Sequence, residues 1–133
     1  MNLEIFNSSN VASIPAGKPT VRINTKAGMF SFSNTVAHKL KLTHPTYIEF
    51  AQDKDRPEDW YLVMASADNE KAFKLRFDKD ERFNLNSTAM ARKIQQSIPA
   101  AKELNSFYMI VSTEAIEIDG RKIYALITKS ISK

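Results

Sequence analysis

The 133-residue sequence contains no cysteine, two histidines and three glycines. Without cysteine the chain cannot form a disulfide framework, a cysteine-ligated zinc site or a thiol nucleophile. The two histidines, His38 and His44, argue against a histidine-built metal centre and are interpreted as surface residues. Three glycines leave little material for the glycine-rich loops that cradle phosphates. No metal ion and no cofactor is therefore predicted.

Long apolar runs and catalytic motifs are also missing. No stretch of about 18 apolar residues could span a membrane, and the first ten residues, MNLEIFNSSN, lack the basic and apolar regions of a signal peptide. We therefore expect a cytoplasmic location and no membrane partner. The sequence has no GxSxG, P-loop, HExxH or glycine-rich dinucleotide motif. A non-enzymatic function is predicted.

The residues that are present suit one folded domain. Apolar residues make up 43% of the chain and charged residues 26%, and domains most often have about 100–150 residues. The net charge of +4 is uneven, because residues 18–49 and 71–98 each carry +4 and residues 50–70 carry −4. Two basic blocks separated by an acidic block can place positive charge on one face. Ordinary solvation of strand and helix surfaces would explain the same blocks.

Alternating polar and apolar residues predict several short β-strands. Apolar residues at 21, 23, 30 and 32 alternate with polar ones, as do those at 73, 75, 77, 83 and 85. Further strands are predicted over 46–51, 60–65, 107–111, 116–121 and 122–129, and Asp119-Gly120 is typical of a tight hairpin turn. The acidic run 53–59 lacks the central glycine and terminal glutamate of a calcium-binding EF-hand. We interpret it as a polar loop.

Two short helices are predicted, each after a residue that can cap its first turn. Ser33 or Asn34 can cap a helix over 35–42, and Asn86 or Ser87 can cap a second one. Pro99 should end the second helix, because proline cannot extend it. The apolar stripe of this helix consists of Met90, Ala91, Ile94 and Ile98.

Both halves of the chain follow the same order of strand, turn, strand, capped helix and hairpin. We interpret residues 20–133 as one domain of two repeats, about 20–68 and 71–130, after an N-terminal lead, 1–19, that can add an edge strand. Because isolated hairpins are marginal in water, the two units must interleave. The predicted fold is α+β, a small, mostly antiparallel β-barrel with two short helices and an internally duplicated strand-strand-helix-hairpin unit. Its expected interior contains Phe30, Phe32, Phe73, Phe77, Phe83 and Leu85.

The first repeat, VRINTKAGMFSFSNTVAHKLKLTHPTYIEFAQDKDRPEDWYLVMA, resembles the swapped-hairpin DNA-binding family that includes AbrB and the MazE antitoxins. Lys26-Ala27-Gly28 stands at the position of the family's turn, and Leu40-Lys41-Leu42 at the end of its helix. The family's proline beside the helix start is absent, and Ser33-Asn34 stands there instead. Family members are usually about half as long and dimerise, so the resemblance implies a fused pseudo-dimer.

The resemblance implies a regulatory protein that contacts DNA through basic residues of the first strand and turn of each unit. From the residues alone, a basic two-stranded ribbon can enter a major groove while its cations neutralise phosphates, and Asn24 is the candidate for base specificity. This interpretation requires the basic residues of both repeats to share one face. The predicted nucleic-acid-binding residues are Arg22, Asn24, Lys26, Lys74, Arg76, Lys79 and Arg82.

Two alternatives stay open. The first is a protein-interaction or assembly module of the phage or mobile-element type, in which a barrel edge pairs with another chain or with a second copy in a homo-oligomer. The second is a single-stranded DNA-binding regulator, with four strands and a helix over about 46–98. Such a protein needs exposed aromatic residues on which bases stack. The candidates are Trp60, Tyr61, Tyr47, Tyr108 and Tyr124.

Overall fold

A computed structural model describes Leu3 and residues 17–79 and 82–133, and the edge strand predicted within 1–19 therefore lies outside the described residues. In these ranges the chain forms ten β-strands, two α-helices and a short 3-10 helix, Pro99–Ala101. None of the described helices is long and apolar enough to cross a membrane. The helices are α1 (Asn34–Lys39) and α2 (Thr88–Ser97). The strands are β1 (Thr20–Asn24), β2 (Met29–Phe32), β3 (Tyr47–Gln52), β4 (Trp60–Ala65), β5 (Phe73–Lys74), β6 (Arg76–Phe77), β7 (Phe83–Asn86), β8 (Ser106–Val111), β9 (Ile116–Ile118) and β10 (Arg121–Ser132).

The strands form one antiparallel sheet that closes on itself as a nearly complete barrel. The hydrogen-bonded order is β5-β3-β4-β10-β8-β1-β2-β7-β6, with β9 paired to β10. The two ends of this order, β5 and β6, are separated in the chain only by Leu75. The Leu75 backbone N–H donates to the Thr46 carbonyl oxygen at 2.8 Å, and its side chain is 1% exposed. Leu75 therefore forms the corner at which the barrel closes, and it divides the single strand predicted over 73–77.

The pairing pattern relates the two halves of the chain. Only Leu75 divides β5 from β6, so these two together correspond to β1 as the first strand of the second half. In each half the first two strands pair as a hairpin, β1 with β2 and β6 with β7. The third strand of each half pairs with the first strand of the other half, β8 with β1 and β3 with β5. The remaining contacts between halves join β2 to β7 and β4 to β10. Apart from β9, which has no counterpart in the first half, exchanging the halves leaves this pattern unchanged, while duplication of the sequence itself stays a prediction.

Both α-helices have a serine as their N-cap residue, as the capping pattern predicts. The Ser33 hydroxyl oxygen accepts a hydrogen bond from the Val36 N–H at 3.4 Å, and the Ser87 hydroxyl oxygen accepts one from the Met90 N–H at 3.1 Å. The first helix ends at Lys39, three residues before its predicted end. The second ends at Ser97, and Pro99 starts the 3-10 helix that follows it.

Inward side chains of the strands and of both helices form one core. Phe30, Phe32, Phe83 and Leu85 are between 0% and 4% exposed, which confirms their predicted interior position, and Phe73 is half-buried. From the helices, Val36, Ala91 and Ile94 belong to the same cluster. Burial of these aliphatic and aromatic groups is the main force that holds the barrel and its helices together.

The predicted interior position of Phe77 is wrong. Its side chain is 43% exposed, because β6 ends at this residue and the ring lies at the rim of the barrel. The Phe77 ring stacks on His44 at a centroid distance of 5.9 Å and contacts Phe83 at 5.0 Å. Alternation alone predicts the inward direction and does not show where the barrel ends.

The two predicted loops have the expected geometry. The N–H of Asp53 donates to the carbonyl oxygen of Asp59 at 3.0 Å, which closes the β3–β4 loop as a polar hairpin loop. No group of three or more histidine, cysteine, aspartate or glutamate side chains that could hold a metal ion occurs among the described residues. Asp119 and Gly120 have φ values of 53° and 76°, as a two-residue hairpin turn requires, and Ile118 pairs with Arg121 across them.

Candidate nucleic-acid interface

Outward side chains of five neighbouring strands form one polar surface. Tyr108, Arg22, Ser31, Asn84 and Arg76 follow one another across β8, β1, β2, β7 and β6, each directly paired in register with the next. Apart from Phe77 at the rim, their neighbours along each strand are buried in the core, so these five point outward. We call this row, with the next outward residues, the arginine face. It comprises Tyr108, Arg22, Ser31, Asn84, Arg76, Ser106, Asn24, Met29 and Asn86.

Arg22 is held in place by neutral groups. Its Nε donates to the Ser106 hydroxyl oxygen at 3.0 Å, and its Cζ lies 6.0 Å from the centroid of the Tyr108 ring. A hydroxyl group and an aromatic ring orient the guanidinium without cancelling its charge. The exposed Arg22 side chain therefore presents a full positive charge in a defined direction.

Arg76 is oriented in the same way from the other half of the chain. Its Nε donates to Asn84 Oδ1 at 3.0 Å, and its Nη2 donates to Asn86 Oδ1. Nη2 also lies 3.7 Å from the Met29 sulfur, so the guanidinium reaches across β7 to β2. Since β2 pairs directly with β1, the charge of Arg76 lies over the strand next to the one that carries Arg22.

An arginine elsewhere in the barrel shows the contrast. Arg121, at the start of β10, forms an ion pair with Glu49 of β3 at 2.7 Å, and Asn69 Nδ2 donates to the same carboxylate oxygen at 3.1 Å. The charge of Arg121 is thus matched within the fold. Among the described residues, the recorded polar contacts of Arg22 and Arg76 are all with neutral groups.

A cleft of about 440 Å³ opens beside the row, between Arg22 and Arg82. The described residues that line it include no carboxylate. Guanidinium and hydroxyl groups are the donors that bind phosphate oxygens in proteins, so this lining suits an anion. Its polar side chains are those of Arg22, Arg82, Thr20, Ser31, Ser33, Thr35, Asn34 and Tyr108.

The β6–β7 loop places Arg82 at the cleft and Lys79 outside it. The Arg82 backbone N–H donates to Asp78 Oδ1 at 3.0 Å, and Arg82 lines the cleft. Asn84 Nδ2 donates to the second oxygen of the same carboxylate at 3.3 Å. Asp78 therefore brings one negative charge to the edge of the arginine face. Lys79 is exposed in this loop and does not line the cleft.

Lys74 lies beyond the Leu75 corner, where it pairs with Tyr47 of β3. Its side chain is exposed, but its neighbours belong to the next side of the barrel. Of the four cations predicted in the second repeat, the structure brings Arg76 and Arg82 to Arg22 and leaves Lys74 and Lys79 outside the arginine face.

Asn24 and Lys26 belong to the β1–β2 turn. Asn24 Oδ1 accepts hydrogen bonds from the N–H groups of Lys26 and Ala27, both at 3.0 Å, so this amide oxygen shapes the turn. Lys26 is exposed at the tip. The Gly28 carbonyl oxygen accepts from the Ser87 N–H at 2.7 Å, which fixes the turn to the start of α2. Asn24 thus has a structural role in addition to its predicted place at the interface.

The β1–β2 hairpin is not a free ribbon, because β8 flanks β1 and β7 flanks β2. The surface from β8 to β6 spans four strand spacings, about 19 Å along the sheet. A major groove is about 12 Å wide and admits a two-stranded ribbon. Insertion of β1–β2 into a major groove, as expected from the sequence, stays a prediction.

Several residues of the arginine face are absent from the predicted set. Alternation could have found them, because Asn84 and Asn86 flank buried Leu85, and Tyr108 lies between buried Phe107 and Met109. Tyr108 does appear among the five aromatic candidates for base stacking. Of these, Trp60 and Tyr124 are 2% and 6% exposed and belong to the core, whereas Tyr108 is 38% exposed.

A second surface, on β9 and the strands beside it, is apolar. Ile116 and Ile118 are 47% and 51% exposed, and with Ile123, Tyr61 and Ala51 they line a groove of about 300 Å³. Within the described residues β9 pairs only with β10, so its other edge is unpaired. Gln52 and Asp53 also line this groove, but most of its lining side chains are apolar or aromatic, unlike those of the arginine face.

No protein-family model, no curated protein and no solved structure matches the chain. The resemblance to the AbrB and MazE family stays a prediction.

Proposed function

We propose that this protein is a non-enzymatic nucleic-acid-binding protein whose arginine face and adjoining cleft contact the phosphate backbone. The observation that carries the proposal is the convergence of Arg22, Arg76 and Arg82, from both halves of the chain, on one outward surface. The resemblance to the AbrB and MazE family would make the ligand DNA and the role regulatory.

The chemistry of the arginine face supports phosphate binding. A guanidinium group donates two parallel hydrogen bonds to phosphate oxygens, and hydroxyl and amide groups commonly add further phosphate contacts. The described partners of Arg22 and Arg76 are neutral, so within the described part of the chain an incoming phosphate has no carboxylate to displace from either. The hydrogen bonds that orient these guanidiniums also reduce the entropy that they lose on binding.

Fluorescence anisotropy of labelled single-stranded and duplex oligonucleotides at two salt concentrations tests the proposal. Three arginines on phosphates predict a slope of log affinity against log salt of about −2 for a single strand. Raising the salt from about 50 to 200 mM should then weaken binding about 20-fold. Arg22→Gln and Arg76→Gln should each reduce the slope by about 0.7 and lower the affinity.

Arg56→Gln is the matched control. Arg56 is exposed in the loop that joins β3 to β4, and neither of these strands is part of the arginine face. Its replacement removes the same charge from the protein and should leave the affinity nearly unchanged. The proposal fails if neither oligonucleotide binds at about 50 mM salt, or if Arg56→Gln weakens binding as much as Arg22→Gln does.

The alternative function, a protein-interaction or assembly module, would use the apolar groove instead of the arginine face. Exposed Ile116 and Ile118 beside the unpaired edge of β9 favour it, since edge strands can pair with another chain. If this alternative is right, the oligonucleotides give flat anisotropy traces. If the other chain is a second copy of this protein, sedimentation velocity also shows concentration-dependent self-association. A protein that stays monomeric at all concentrations and binds oligonucleotides would contradict the homo-oligomeric version of this alternative.

A further inference from the structure

Tyr108 is the exposed aromatic residue of the arginine face. Its side chain is 38% exposed, and it pairs in register with Arg22 on β1 and with Ser132 on β10. Phe107 and Met109 on either side are fully buried, so the backbone that carries the ring is held by the core. The Arg22 Cζ lies over the ring, 6.0 Å from its centroid, at the outer limit of a cation–π contact.

The cleft that is lined by Arg22 and Arg82 lies directly beside this ring. Tyr108 lines the cleft together with Arg22 and Arg82. An aromatic ring next to two arginines complements the two chemical parts of a nucleotide, a flat base and an anionic phosphate. Proteins that bind single strands combine these elements, stacking bases on aromatic side chains while cations follow the backbone.

We infer that the arginine face binds single-stranded nucleic acid, with a base stacked on Tyr108 and a neighbouring phosphate between Arg22 and Arg82. The inference rests on the proposed function and specifies its ligand. In a duplex each base is already stacked and paired, so its flat face cannot reach Tyr108 without local opening of the helix. The sheet, about 19 Å across, is also too broad for a major groove about 12 Å wide.

The test compares three probes of about 12 nucleotides, within the site sizes of known single-strand binders: oligodeoxythymidine, oligouridine and a DNA duplex of equal length. Loss of one base stack should weaken single-strand binding by about 5- to 150-fold in Tyr108→Leu. Tyr108→Phe keeps the ring and should stay within about twofold of the wild type. Duplex binding, if present, should not respond to either change.

Tyr61→Leu is the control for the loss of an aromatic side chain. Tyr61 lies on β4 and lines the apolar groove, so its replacement should leave oligonucleotide affinity unchanged. Arg82→Gln gives a second, independent measurement, because it removes a guanidinium from the cleft while the Arg82 backbone N–H can still donate to Asp78. It should lower the affinity for the single strands and reduce the salt slope by about 0.7.

The outcomes separate this inference from the proposed function. The inference is overturned if the duplex binds as tightly as either single strand, or if Tyr108→Leu binds like the wild type. In that case, weaker binding by Arg22→Gln and Arg76→Gln would still uphold the proposed function. If none of the three probes binds, the proposed function itself fails. Tyr108-dependent binding of either single strand supports the inference.

Discussion

Replacement of Gly28 by alanine tests how closely the β1–β2 turn approaches the start of α2. Gly28 has a φ of 67°, and a Cβ atom built on it would lie 2.4 Å from Thr88 Oγ1 and 2.6 Å from the Thr88 backbone nitrogen. The second distance involves backbone, so rotation of a side chain cannot relieve it. Gly120 also has a positive φ, 76°, but a Cβ there would meet nothing within 4 Å. Gly120→Ala is therefore the matched control.

The difference between the two variants isolates the steric contribution. A left-handed backbone costs an alanine about 1–2 kcal/mol, and the stiffer unfolded chain returns about 0.4–1 kcal/mol. Gly120→Ala should thus lower the free energy of unfolding by about 1 kcal/mol. Gly28→Ala adds the overpacking against Thr88, about 1–3 kcal/mol, for a total loss of about 2–4 kcal/mol.

Urea unfolding followed by circular dichroism measures both free energies, and an unchanged dependence on urea concentration shows that both variants unfold from a similarly compact state. Because the Gly28 carbonyl oxygen also accepts from the Ser87 N–H, movement of the turn would weaken this bond as well. Equal losses for the two variants would refute the close packing of the turn against α2. A gain in stability for Gly28→Ala would refute the positive φ too.

Two further changes test the barrel corner and the arginine face. Leu75→Ala should destabilise the protein by about 2–5 kcal/mol, because it empties a buried position at the corner that joins β5 to β6. Ile118→Ala, at a half-exposed position, is the control and should change the free energy of unfolding by less than about 0.5 kcal/mol. Similar losses in urea unfolding would contradict the corner. Ser31→Asp places a carboxylate in the row beside Arg22. It should weaken oligonucleotide binding and reduce the salt slope by about 0.7. Ser31→Asn has the same shape and no charge, so it should retain most of the affinity. Equal affinities of the two variants in anisotropy titrations would contradict phosphate binding at this row.

Local features of the fold could be predicted from the sequence because they depend on neighbours in the chain. The serine caps at Ser33 and Ser87 and the Asp119-Gly120 turn are confirmed, as is the α+β barrel. The lateral order of the strands was beyond local reasoning, since four of the nine strand pairings join strands from different halves of the chain. Closure at Leu75 and the exposed position of Phe77 both follow from that order.

The candidate site shows the same division. Alternation predicts that Arg22, Lys74 and Arg76 point outward, and all three are exposed. Which of them share a surface depends on the β2–β7 pairing and on the corner at Leu75, which separates Lys74 from Arg76. The neutral partners that orient the guanidiniums, such as Asn84 for Arg76, carry no charge pattern in the sequence and are visible only once the strands are placed side by side.

The sign of a stability change can distinguish a binding surface from an ordinary solvated one. Arg22 and Arg76 have neutral described partners, so a new carboxylate at Ser31 gains attraction to nearby cations in the free protein. The free energy of unfolding of Ser31→Asp should therefore equal that of Ser31→Asn or exceed it. For an exposed pair the excess is at most about 1 kcal/mol. If the same carboxylate weakens oligonucleotide binding, stability and binding move in opposite directions, as expected where unmatched charge is kept for a ligand. On a surface whose cations serve only solvation, the carboxylate would change stability alone.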